Sequence, residues 1–250
     1  MTEIQSNVLK TTDYDKFQLM GGNRKTNPTN LNQIIKSMEE KQLMIPILVN
    51  ENYEIIDGQH RFQACKYLGL PVYYIMQHGY DINDVIRANV NGGRKWYDTD
   101  YLHMYCEEND ERYLRVKKIL ESFSITSNDF IKILAHLQNK RTTMLKEEFR
   151  SGTLSLEGID SLVSFLMALE SFKDFKHYKQ SVFITAFQRL YFKEGYNHEL
   201  MERKIQVHGH YLTRQRSADD YLALLCNRVY SFGTTKDPIY YSSDSRKFHQ

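Results

Sequence analysis

The stretch Ile55-Ile56-Asp57-Gly58-Gln59-His60-Arg61-Phe62-Gln63-Ala64 decides how this chain is read. An apolar run ends at a glycine, and a helical pattern begins at once with a histidine and an arginine in its first turn. A helix start presents backbone N–H groups and the positive end of the helix dipole, which suits an anion. Arg61 adds a forked, permanently charged donor of the kind that grips phosphate. Gly58, Gln59, His60 and Arg61 are therefore candidate phosphate-binding residues. The plainer alternative is a hairpin strand that turns into a core helix, with Arg61 solvated.

Upstream, the apolar segments 45–49 and 53–56 are too short for helices and read as two strands joined by an Asn50-Glu51-Asn52 turn. Before them, Leu31, Ile34, Ile35 and Met38 fall at i, i+3, i+4 and i+7, the stripe of an amphipathic helix, with Asn30 as its N-cap and Gln33 three residues on. Downstream, a helix over 59–68 stops at Gly69 and leads to a third strand over 72–76. Asp81 then caps a helix carrying Ile82, Val85 and Ile86 on one face, and Asn91-Gly92-Gly93 ends it. Beyond Tyr97 strand signals nearly vanish, and helical patterns cover 99–108, 111–122, 127–136, 140–150, 156–171, 177–192 and 217–231. The fold class is α+β. A small α/β domain (residues 1–96) precedes an all-helical domain (97–233) and a largely polar C-terminal tail (234–250) that reads as mobile or loosely docked.

Composition narrows the function classes. With 41% hydrophobic and 26% charged residues and four prolines in 250, the chain has the make-up of a packed protein rather than a disordered one. Lysine and arginine number 33 against 31 acids, so any nucleic-acid contact must come from local patches. The longest apolar run, residues 43–49, contains Pro46 and falls far short of the about 20 residues a membrane helix needs. The charged N-terminal stretch does not read as a signal peptide. Cys65, Cys106 and Cys226 lie too far apart for a zinc ribbon or disulfide framework, and a cytoplasmic location is expected.

The quoted segment resembles the ParB/sulfiredoxin superfamily, whose ParB branch carries a Gly-Glu-Arg-Arg-aromatic-Arg-Ala box after a strand. Gly58, Arg61, Phe62 and Ala64 match it; Gln59, His60 and Gln63 depart from it. The Asp57-Gly58-Gln59-His60-Arg61 form is similar to a variant in bacterial and phage members, and the likeness covers roughly residues 17–96. The sulfiredoxin branch places a catalytic cysteine where Gln59 stands, and an amide cannot replace that thiolate. Cys65, on the next helix turn, reads as a small apolar core residue.

A second ParB box, Glu-Asn-x-x-Arg, corresponds to Val90-Asn91-Gly92-Gly93-Arg94, and Asn23-Arg24 matches an earlier arginine box only loosely. The resemblance implies a nucleoside triphosphate, CTP or ATP, held by Gly58 to Arg61 and closed over by Asn91 and Arg94. Magnesium is a doubtful cofactor, because Val90 cannot ligate a hard cation that requires oxygen ligands.

The resemblance also implies a helix-turn-helix. Residues 126–135 and 140–149 read as two short helices with a tight connection, the second bearing Lys140, Arg141, Thr143 and Lys146 for phosphates and base edges. Plain helix packing is the alternative, and Glu147 and Glu148 on the same helix oppose DNA. His208-Gly209-His210 with nearby His198 suggests a metal only weakly, loop histidines being the default. Arg203, Lys204, Arg214 and Arg216 form a basic cluster whose default reading is solvated surface.

The expected function is a nucleotide-responsive DNA-binding protein of phage or mobile-element type, with DNA and nucleotide as partners and a homodimer allowed. The rivals are a ParB-like nuclease or NTPase, and a degenerate domain serving as a protein-interaction module. Whether the chain is an enzyme stays open.

Overall fold

The computed structural model describes residues 8–23, 26–90, 96–234 and 238–249. In the first part, strands β1 (Leu9–Thr11) and β2 (Gln18–Leu19) precede helix α1 (Pro28–Glu40); β3 (Ile47–Val49) and β4 (Glu54–Asp57) precede α2 (Gln59–Leu68); then come β5 (Val72–Met76), α3 (Ile82–Val90) and α4 (Asp98–Glu107). The helices α5 (Glu111–Phe123), α6 (Ser127–Leu137), α7 (Thr142–Ser151), α8 (Ile159–Leu169), α9 (Ser181–Tyr191), α10 (His198–His208) and α11 (Ala218–Leu224) follow. A π-helical turn over Leu225–Tyr230 leads to a hairpin of β6 (Tyr240–Ser242) and β7 (Lys247–His249). The fold is α+β, a mixed sheet followed by a largely helical region.

The five strands of the main sheet run in the order β1-β5-β3-β4-β2. The β3–β5 and β2–β4 pairs are parallel, and β3–β4 and β1–β5 are antiparallel. Side chains alternate across a strand, so adjacent isoleucines of β4 enter different cores. Ile55 packs with Phe17, Ile47, Val49, Phe62, Cys65 and Tyr74. Ile56 packs on the other face with Met20, Val85, Trp96 and Met104. The predicted turn between β3 and β4 is built by buried Asn50, whose side-chain Oδ1 accepts from the N–H groups of Asn52 (3.1 Å) and Glu54 (2.9 Å).

The chain divides into two compact units between Leu114 and Arg115, not at residue 96. Trp96 and Met104 explain the shift, because both bury against the sheet and bring α4 into the first unit. The second unit has its own core, in which Phe130, Phe149, Phe165, Phe183, Phe187 and Tyr221 are fully buried. Among the described residues no helix is long and apolar enough to cross a membrane.

Several sequence expectations need correction. The cap of α1 is Asn27, not Asn30. Its Oδ1 accepts from the N–H groups of Thr29 and Asn30, and Pro28 fills the first helical position, where its missing N–H costs nothing. Strands β1 and β2, three and two residues long, are too short to show a period of two. Helix α10 was not expected because only Met201 of its residues is buried, leaving no apolar stripe; Asn197 caps it.

The C-terminal segment is not loosely docked. Ser231 binds both the carbonyl and the N–H of Ile239 at 2.8 Å, and Asn227 binds the N–H (3.0 Å) and carbonyl (2.8 Å) of Tyr241. Two side chains thus satisfy the backbone of the segment that leads into β6, and Tyr241 is buried.

Candidate functional site

The turn from β4 into α2 depends on Gly58. It adopts φ +95°, ψ 20°, a left-handed conformation that L side chains disfavour. A Cβ there would lie 2.7 Å from Ile47 Cγ2 and 2.9 Å from Arg61 Nη2. Glycine therefore allows the strand to end and α2 to begin without an intervening loop. It also supplies no capping side chain to the amides that open α2.

The next three residues are held differently. Gln59 is buried, 6% exposed, beneath the turn. His60 Nε2 accepts from the backbone N–H of Asn27 at 3.1 Å. Gln63 Nε2 donates to Thr26 Oγ1 at 2.8 Å. These two bonds bring the first turns of α1 and α2 together, and each helix start contributes positive potential.

Arg61 Nη2 donates to Asp57 Oδ2 at 2.9 Å and to the Pro46 carbonyl at 3.4 Å. Its Nε is buried and has no hydrogen-bond partner among the described residues. Asp57 shares the same mouth and is half-exposed, so an incoming anion meets a carboxylate already paired with Arg61. Sequence reasoning gave no role to Asp57, Thr26 or Asn27; the Asn27-Pro28 pair was the signal for an N-cap beside the site. Asn91, Arg94 and Arg24 lie outside the described residues. Asn23 donates from Nδ2 to the Ile55 carbonyl at 3.4 Å.

The donors fit an anion. Gln59 stands where the resembling ParB box has an acid, and an amide is a weaker ligand for magnesium than a carboxylate. Cys65 is a core residue, as its position suggested, and burial pushes its thiol up, against the pull of Gln42 and Arg61. It supplies no thiolate at neutral pH.

The expected DNA-reading residues are only partly brought together. Helices α6 and α7 are joined by the four residues Gln138 to Arg141. The turn holds no glycine, and Asn139 takes its left-handed position at φ +52°. Lys140 does not lie on the second helix. It sits in the turn, and its Nζ binds the carboxylate of Glu148 at 2.7 and 2.9 Å. That pair neutralises one opposing acid and occupies one expected phosphate contact. Arg141 is the cap position of α7, and Arg141 and Thr143 are exposed, whereas Lys146 is half-buried. Glu147, one turn after Thr143, shares its exposed face.

The histidines do not form a cluster. His198 opens α10 and His208 ends it, a separation of about 15 Å along the axis. Tyr196 and Ser171 engage the His198 ring at 2.9 and 3.3 Å. Among the described residues no three histidine, cysteine or acidic side chains converge to hold a metal ion.

A mixed sheet with α1 and α2 packed on one face and a glycine-led helix start directly after β4 is an α+β fold. Residues 2–79 match the profile of the ParB N-terminal domain. A solved structure described as a Pnob8-like ParB-N domain aligns over 84% of each chain at 15% identity, with a TM-score of 0.33. A likeness so loose supports no argument about function. No curated protein matches the chain.

Proposed function

We propose that the chain is a ParB-like DNA-binding protein whose N-terminal domain holds a nucleoside triphosphate, CTP or ATP, at the start of α2. The observation that supports this most is Arg61. A buried guanidinium N–H left unsatisfied costs about 1–3 kcal/mol or more, and Arg61 Nε is in that position beside a helix start without a side-chain cap. A phosphate group supplies acceptors of the right charge for both. In this reading Gly58 to Arg61 bind phosphate, and Asn91 and Arg94 close over the nucleotide. Arg141 and Thr143 of the α6–α7 pair contact DNA. Calorimetric titration with each nucleoside triphosphate, with and without duplex DNA and magnesium, tests it. Binding of one nucleotide that is coupled to DNA supports the reading. Absence of binding to any of them leaves the domain as a protein-interaction module.

A further inference from the structure

The basic cluster around the end of α10 belongs to neither proposed site. From Arg203 to Ala218 the chain carries four lysines and arginines and no acid, although the whole chain nets only +2. Among the described residues Arg203, Arg214 and Arg216 make no ion pair. The flanking acids are engaged elsewhere, Glu202 with Ser171 and Asp219 with Arg189.

Along the chain, His208, His210 and Tyr211 fall between these cations, and Phe232 joins their rings. His208 meets Phe232 at 4.9 Å and Tyr211 at 6.2 Å between centroids, and Tyr211 meets His210 at 4.1 Å and Phe232 at 5.9 Å. Tyr211 is 37% and Phe232 41% exposed, and Val207 beside them is 64% exposed. Lys204 Nζ donates to the Phe232 carbonyl at 2.5 Å and fixes that residue against the helix. A contiguous set of exposed rings, unlike a lone exposed residue, marks an interaction surface. Arginines that flank Tyr211 in sequence and make no ion pair disfavour an apolar protein partner, which would have to bury unpaired charge.

We infer that this surface binds single-stranded DNA, with unstacked bases on Tyr211 and Phe232 and the backbone along Arg203, Arg214 and Arg216. A single strand offers both complements, a polyanion and free π-faces, whereas a duplex hides its bases. The choice of DNA over RNA rests on the proposed DNA-binding function; the surface itself does not depend on α7.

The test is fluorescence anisotropy with a labelled oligo-dT of about 15 nucleotides, within the span one such groove covers. Tyr211→Ala and Phe232→Ala should each weaken binding at least about fivefold, the lower end for one stacked base. Arg214→Gln and Arg216→Gln should each flatten the salt slope by about 0.7. Blunt-duplex binding of Arg141→Ala, read in parallel, keeps loss of the proposed α7 contact separable from loss here. Thermal melts confirm that the variants fold, and the two ring variants check each other. Unchanged oligo-dT binding in both ring variants overturns the proposal, as does an equal loss on blunt duplex. Tighter binding of oligo-U overturns the choice of DNA.

Discussion

Arg61 folds back across Gly58, so that its Nη2 lies 2.9 Å from where a Gly58 Cβ would be. The same nitrogen binds Asp57 at 2.9 Å. The left-handed glycine and the ion pair that spans it form one unit: the turn leaves room for the guanidinium, and the guanidinium closes the turn.

Gly58→Ala should therefore damage both. The left-handed backbone alone costs a non-glycine residue about 1–2 kcal/mol. The new methyl also meets Ile47 Cγ2 at 2.7 Å, inside a packed core. Denaturant unfolding should show a loss of at least that size, together with weakened nucleotide binding. A variant as stable as the parent contradicts this account of the turn.

Arg61→Ala should weaken nucleotide binding by about 1.5–3 kcal/mol, the scale of a charged hydrogen bond. Its effect on stability should stay below about 1 kcal/mol, since the pair with Asp57 is partly solvated. Arg61→Lys should not restore binding, because an ammonium lacks the planar fork. With Gln59 and Val90 where the resembling boxes carry acids, affinity should change little with magnesium. Calorimetry on the three proteins, with and without the cation, measures all of this.

The Lys140–Glu148 pair separates two residues that the sequence treated alike. Arg141→Ala should flatten the salt dependence of duplex binding by about 0.9 if the side chain neutralises one phosphate. Lys140→Ala should alter that slope much less, its charge being already matched by Glu148. Equal slopes for the two variants would place Lys140 on the DNA instead.

At the C-terminus, the Tyr241 hydroxyl bonds both Arg189 (2.7 Å) and Asp219 (2.5 Å). Tyr241→Phe should weaken docking of the β6–β7 hairpin by about 1.5–3 kcal/mol, read as faster local amide exchange. The Arg189 guanidinium, with help from the Tyr241 hydroxyl, holds Asp219 below the usual carboxylate range. A lowered folded pKa adds stability above the unfolded value of about 3.9, and that stability is lost as pH falls further. The hairpin should loosen below about pH 4, and Asp219→Asn should abolish this acid transition.

Local patterns in the sequence determined much of the first unit. The spans 59–68 and 72–76 are observed at α2 and β5, because Gly58, Gly69 and the β-branched and aromatic residues of 72–75 act within a few residues of themselves. The Asp57-to-Arg61 stretch also carried the ParB-like likeness, which the profile match over 2–79 supports. Tertiary structure decided what distant groups do to one another. Asn27 meets His60 across 33 residues, and Tyr241 meets Arg189 across 52. Helix α10 has almost no apolar stripe, so its periodicity was silent and only packing on the second unit revealed it. Lys140 looked like a helix residue until Asn139 turned the chain and delivered it to Glu148. Propensity and spacing act along the chain, whereas burial and charge pairing depend on which segments the fold makes neighbours.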